Sequence, residues 1–88
     1  MVIQDQERKE ECRLEVRRYL AERPALAFAA TTIHRSLYRE FDFTLQEVID
    51  GLVFWVSAKQ AQITPCEAGA TEYFQITAAG TLAHERRH

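Results

Sequence analysis

The residues from Thr44 to Lys59 constrain the fold more than any other part of the chain. Thr44 is followed three residues later by Glu47, the spacing of a capping box, in which a hydroxyl and a carboxylate satisfy free backbone N–H groups at a helix N-terminus. The sequence therefore predicts a helix from Leu45 to about Lys59. Apolar residues at helical spacing cover an arc of about 160° and form its core face: Leu45, Val48, Ile49, Leu52, Val53, Trp55 and Val56. The remaining residues form a narrow outer face: Gln46, Glu47, Asp50, Gly51, Phe54 and Ser57.

Three further helices are predicted around this one. Residues 5–22 carry an apolar stripe of Cys12, Val16, Tyr19 and Leu20, and the helix ends before Pro24. A second helix runs from an N-cap at Thr31 or Thr32 to about Arg39 and turns Ile33, Leu37 and Tyr38 towards the core. Thr77 caps a last helix from Ala78 to about Arg86.

Strand-like segments and one aromatic turn lie between the helices. Residues 61–64 and 72–76 alternate apolar and polar side chains around a loop at 65–70, which predicts an antiparallel hairpin. Residues 25–29 are read either as a brief strand or as an extended connector. Phe41 and Phe43 are predicted to fill the core from the turn before the third helix.

The order helix, short strand, helix, turn, helix, hairpin, helix is similar to that of winged-helix proteins. The segment Phe74-Gln75-Ile76-Thr77-Ala78-Ala79-Gly80-Thr81-Leu82 resembles the strand-to-helix exit of many bacterial winged-helix regulators. Residues 17–24 together with the Trp55 segment resemble small winged-helix proteins of Mu-like prophages. The resemblance implies one α+β domain over residues 1–88, with a three-helix helix-turn-helix core, a two-stranded β-hairpin wing and a short C-terminal helix. It also implies a phage- or prophage-encoded transcriptional regulator that lays its third helix in the major groove of double-stranded DNA.

Neither catalytic machinery nor a cofactor or metal site is predicted. The three glycines are scattered, and the sequence holds no phosphate-binding or dinucleotide-binding glycine motif. The histidines, His34, His84 and His88, show no zinc-ligand spacing with Cys12 or Cys66. Glu47 and Asp50 form a conceivable acid–base pair, but capping and solvation explain them more simply. We therefore expect a protein that is not an enzyme.

The location is expected to be cytoplasmic. No apolar run approaches the roughly 20 residues of a membrane span, and the first residues show no signal-peptide pattern. The two cysteines, Cys12 and Cys66, are far apart in the chain and are interpreted as free thiols, Cys12 as a small core residue.

The charge distribution leaves two functions open. Residues 44–83 carry one basic residue, Lys59, against four acidic ones, a net charge of −3, so the third helix and the wing offer phosphates little attraction. Basic residues are concentrated on the first, second and last helices, where they form either a DNA-binding edge or an ion-paired helix face. The alternative to a DNA-binding regulator is a protein-interaction or dimerisation module. The candidate contact residues for either partner are His34, Arg35, Arg39, Gln46, Glu47, Asp50, Phe54 and Ser57.

A homodimer is expected as well. Leu14 lies off the main stripe of the first helix, and Phe54 lies on the outer face of the third. A domain of this length buries a modest core, so two large apolar residues left outside it favour a second copy as partner.

Overall fold

The structure is a computed structural model that describes residues 2–64 and 72–86, except for the side chains of residues 2–5. In these residues four helices and three strands follow one another in the predicted order: α1 (Val2–Ala21), β1 (Phe28–Ala29), α2 (Ala30–Leu37), α3 (Leu45–Ser57), β2 (Ala61–Thr64), β3 (Tyr73–Ile76) and α4 (Ala78–Arg86). Residues 65–71, which include Cys66 and the predicted loop at 65–70, lie outside the described residues.

The three strands form one antiparallel sheet in the order β1-β3-β2. The predicted hairpin of β2 and β3 is confirmed, but the expected sheet of two strands is wrong. Phe28 of β1 pairs with Phe74 of β3, whose other neighbour is Ile63 of β2. A strand of two residues is too short to show an alternating pattern, so only its pairing reveals it. The α+β arrangement is compatible with a winged helix.

The core lies where α1 crosses α3 and the sheet. Cys12, Val16 and Leu20 of α1 are at most 1 % exposed, and Val48 and Leu52 of α3 are fully buried. Cys12 is a free thiol, as predicted, and burial raises its pKa to about 12. Cys12 is therefore protonated and packed as a small apolar side chain.

Both ends of α3 are set by local backbone chemistry. The Glu47 N–H donates to Thr44 Oγ1 (3.1 Å) and the Thr44 N–H donates to Glu47 Oε1 (2.8 Å), which confirms the capping box. At the other end Lys59 adopts a left-handed conformation (φ 65°), and the Gln60 N–H donates to the Trp55 carbonyl. This is a Schellman motif with a lysine where glycine is usual, and it ends the helix two residues earlier than predicted.

The buried face of α3 is rotated from the predicted one. Val53, assigned to the core, is 53 % exposed, whereas Gly51, assigned to the outer face, is buried. Gly51 is covered because α1 packs on it: a Cβ there would lie 3.6 Å from the Arg13 Cα. Glycine carries no apolar side chain, so the hydrophobic pattern does not mark it as a packing position.

The N-cap of α2 and the burial of Tyr38, the residue after this helix, also differ from the prediction. The N-cap is Ala29, without a side-chain hydrogen bond, so the predicted cap at Thr31 or Thr32 is wrong. The cause is β1, which runs directly into α2 and leaves both threonines in its first turn. Tyr38 is 61 % exposed rather than packed inside.

Thr77 and Gly80 join α4 to the end of α3. As predicted, Thr77 caps α4, its Oγ1 accepting from the Gly80 N–H (3.1 Å). The same hydroxyl donates to the Lys59 carbonyl (2.9 Å), and the Thr77 N–H donates to the Gln60 carbonyl. A Cβ on Gly80 would lie 2.1 Å from the Gln60 oxygen, so this close approach requires glycine.

Among the described residues, no helix is long and apolar enough to cross a membrane.

Candidate functional site

The exposed face of α3 is mildly acidic and partly apolar. It presents Gln46, Asp50, Val53, Phe54 and Ser57, and the Gln46 amide donates to Asp50 Oδ1 (2.9 Å). Val53 and Phe54 are 53 % and 40 % exposed. From residue 45 to residue 57 the helix carries neither lysine nor arginine. A partner that approached this face would meet one carboxylate and two large apolar side chains of α3, with the half-buried Arg13 guanidinium of α1 lying over the Phe54 ring.

Glu47 belongs to a contact between α1 and α3 rather than to this exposed face. Arg8 of α1 donates to both carboxylate oxygens, from Nε to Oε2 (2.6 Å) and from Nη2 to Oε1 (2.9 Å). The Arg8 guanidinium also reaches Asp42, in the turn before α3. Hydrogen bonds from Arg8, followed by those from Thr44, lower the pKa of Glu47. Glu47, one of the candidate contact residues, is therefore already held in an ion pair within the chain.

This pairing predicts a pH dependence of stability. The pKa of Glu47 is lower in the folded protein than its unfolded value of about 4.3, so the ionised pair stabilises the fold above that value and the contribution is lost as the pH falls. Glu47→Gln keeps the shape and removes the charge. We expect the variant to be less stable than the parent at neutral pH, and the difference to shrink as the pH falls from neutral to below about 4.3.

Urea unfolding at several pH values measures this. Asp50→Asn is the matched control, because Asp50 lies on the same helix and forms no ion pair with a described residue. A constant difference between parent and Glu47→Gln across this pH range would contradict the assignment of a stabilising ion pair.

Leu14 and Phe54 line one pocket between α1 and α3. The pocket has a volume of about 310 Å³ and is completed by Glu10, Arg13 and Trp55; we call it the α1–α3 pocket. Arg13 covers part of Phe54, with its guanidinium carbon 4.2 Å from the ring centroid. Trp55 forms the floor, 7 % exposed, with its indole N–H donating to the Arg13 carbonyl (2.7 Å). Leu14, which was expected to lie outside the core, is partly buried against it, and it meets the 40 % exposed Phe54 at this pocket.

The other candidate residues lie on α2 and in the turn after it. His34 is half-buried, with its ring centroid 5.7 Å from that of Tyr38. Arg35 and Arg39 are exposed, and neither forms a salt bridge with any described residue. Both line a cleft of about 410 Å³ against the end of α1, which we call the α1–α2 cleft. Its other lining residues are Arg18, Tyr19, Glu22, Arg23, Ser36, Leu37 and Glu40.

Most of the arginines of α1 are neutralised or occupied within the chain. Arg18 pairs with Glu15 (2.6 Å) and Glu22 (3.1 Å). Arg17 is buried, donates to Gln60 Oε1 (2.8 Å) and stacks on the Trp55 ring. With Arg8 bound to Glu47, this part of the predicted basic edge is an ion-paired and packed helix face rather than a free positive surface.

The α1–α2 cleft is the part of the surface that sequence reasoning missed. Arg35 and Arg39 were candidates, but their proximity to Tyr19 and Arg23 depends on how α2 packs against α1. No local pattern reports that packing. Among residues 2–64 and 72–86 there is no group of three or more His, Cys, Asp or Glu side chains placed to hold a metal ion.

Comparison with known proteins adds no relative to this picture. The sequence matches no family model, and no match was found among curated proteins or solved structures.

Proposed function

We propose that this chain is a non-catalytic winged-helix module that forms a homodimer through the α1–α3 pocket and the adjoining exposed face of α3. One observation carries the proposal: Leu14 and Phe54 line the same pocket, beside an α3 face that has Val53 exposed and no basic residue. Aromatic side chains with an apolar surround and few charges are typical of the centre of a protein interface.

The same face is unsuited to the usual DNA contact of a winged helix. Affinity for DNA comes largely from lysine and arginine that neutralise phosphates. Here the exposed cations nearest in sequence to α3 are Lys59, two residues beyond its end, and Arg39, in the preceding turn. Asp50 on the face itself would repel a phosphate. The α3 surface therefore favours a protein over a nucleic acid.

A second copy of the chain is the partner whose charges fit. Glu10 and Arg13 flank the α1–α3 pocket on one helix, three residues apart. In a two-fold symmetric dimer, a contact from residue i to residue j is repeated from j to i, so antiparallel α1 helices that cross midway between Glu10 and Arg13 place Glu10 of one copy opposite Arg13 of the other. The pocket is thus complementary to itself in charge, and the apolar residues Leu14 and Phe54 line it beside the charged pairs.

Sedimentation equilibrium of charge-reversed variants tests this arrangement. We expect Glu10→Arg and Arg13→Glu each to dissociate the dimer, because each sets like charges against one another across the two-fold axis. Mixing the two variants should restore a heterodimer, since both cross-axis pairs are then of opposite sign. A mixture that stays monomeric would contradict the antiparallel pairing.

Truncation of the Phe54 side chain to alanine tests the apolar part of the proposed interface. Phe54→Ala should weaken the dimer at least about thirtyfold, the effect of losing a central interface residue. Leu26→Ala is the control, because Leu26 is 55 % exposed and lies outside the α1–α3 pocket. Equal dissociation by both variants, or a parent protein that is monomeric at tens of micromolar, would overturn the proposal.

Double-stranded DNA is the second candidate partner. Arg35 and Arg39, exposed and without a salt bridge to a described residue, favour it. The regulator implied by the winged-helix resemblance would then contact phosphates from α2 rather than read bases from α3. Retardation of duplex DNA at physiological salt would support this function, and loss of that retardation in Arg35→Gln would locate it.

A further inference from the structure

We infer that the α1–α2 cleft is a binding site for a phosphate group. Its volume of about 410 Å³ lies within the range of small-molecule sites, and four arginines contribute to its lining: Arg18, Arg23, Arg35 and Arg39. Arginine presents several N–H donors in a planar fork that matches the oxygens of a phosphate. This inference is independent of the proposed dimer, which uses another surface.

The four arginines divide into a neutralised pair and an available pair. Arg18 is held by Glu15 and Glu22, and Arg23 lies 3.5 Å from Glu22 with its guanidinium over the Tyr19 ring. Arg35 and Arg39 have no such carboxylate among the described residues. Because both line the same cleft, their like charges repel each other until an anion lies between them.

Two hydroxyl groups in the lining of the cleft supply a neutral donor. Tyr19 is 8 % exposed, and its hydroxyl lies 3.2 Å from Ser36 Oγ. When one of these hydroxyls donates to the other, the accepting hydroxyl keeps its own hydrogen for a ligand. The lining of the cleft therefore offers a phosphate two available guanidinium groups and a hydroxyl donor.

Glu40 opposes phosphate binding, because its carboxylate lines the same cleft and repels an anion. It lines the same cleft and makes the loosest ion pair there, 3.8 Å from Arg18 Nη2, with its side chain 70 % exposed. Because it is exposed and weakly held, this carboxylate can turn away when an anion enters. Removing its charge should strengthen phosphate binding, which is a prediction opposite in sign to that for the arginines.

Titration of the full chain with pyrophosphate, followed residue by residue by NMR, tests the site. We expect shifts concentrated at Tyr19, Arg35, Ser36 and Arg39. Arg35→Gln and Arg39→Gln should each weaken binding about tenfold, the effect of one lost charged hydrogen-bonding group. Glu40→Gln should tighten it roughly fivefold. Lys9→Gln is the control, because it removes one exposed positive charge on α1 away from the cleft.

Duplex DNA distinguishes the two sources of a phosphate group. DNA that shifts the same residues and is displaced by pyrophosphate identifies the nucleic-acid backbone as the source. Pyrophosphate binding without DNA binding identifies a free phosphorylated compound, and both outcomes support the site. Shifts scattered over all basic residues, with Lys9→Gln weakening binding as much as Arg35→Gln, would overturn it.

Discussion

Replacing Gly80 with alanine is expected to lower the free energy of unfolding by about 3 kcal/mol, near the upper end of the usual cost of overpacking. The added Cβ would lie 2.1 Å from the Gln60 carbonyl oxygen and 2.7 Å from Ile76 Cγ1. The oxygen belongs to backbone that also accepts from the Thr77 N–H, so it cannot move without loosening the junction of α3, β2 and α4. Urea unfolding of the parent and the variant measures the loss.

Gly51→Ala is the matched control for this prediction. A Cβ at Gly51 would meet Arg13 and Val16 at 3.6 Å, an ordinary van der Waals distance. Gly51 lies inside α3, where alanine is the better helix former, so we expect this variant to gain about 0.5–1 kcal/mol. A Gly80→Ala variant as stable as the parent would contradict the close approach of α4 to the Gln60 carbonyl.

Phe43→Ala is expected to cost about 4 kcal/mol, a large share of the roughly 5–15 kcal/mol that stabilises a typical domain. Phe43 is 2 % exposed, stacks on Phe41 with 5.1 Å between ring centroids, and lies under the Arg8 guanidinium. Its removal leaves a cavity in the core beside the start of α3. Thermal or urea unfolding followed by Trp55 fluorescence reports the change.

Phe41→Ala is the control for this prediction, because it removes an aromatic ring from the same turn at a less buried position. Phe41 belongs to the same turn but is only partly buried against the core. We expect it to cost about 1.5 kcal/mol, in proportion to the smaller apolar area that it removes from water. Similar losses for both variants would contradict the placement of Phe43 as the inner ring of the pair.

Sequence reasoning succeeded where a local rule decided the structure. The Thr44–Glu47 capping box, the Thr77 cap of α4 and the inward turn of Phe43 depend on contacts within a few residues or on a strong hydrophobic pattern. The same holds for the stripe of α1 around Val16. These features fix the helices and the hairpin, and hence the α+β class.

Tertiary packing decided what the sequence missed. Gly51 faces the core because α1 packs over it. With Gly51 on the buried side of α3, Val53 lies on the exposed side. The two residues of β1 form a strand only through their pairing with β3. The sequence predicts that Leu14 and Phe54 lie outside the main core stripes. It does not predict that they meet in one pocket, because this depends on how α1 and α3 cross. Glu47 was misjudged because its partner Arg8 is 39 residues away.

Contacts between copies of the chain test the proposed function most directly. In a sample that mixes isotope-labelled and unlabelled protein, isotope-filtered NMR selects the proton contacts that join a labelled copy to an unlabelled one. We predict contacts from the Phe54 ring of one copy to the Leu14 methyl groups of the other, with further contacts between the α1 helices near Arg13. Intermolecular contacts confined to other surfaces, or none at a concentration where sedimentation shows a dimer, would contradict a dimer built on the α1–α3 pocket.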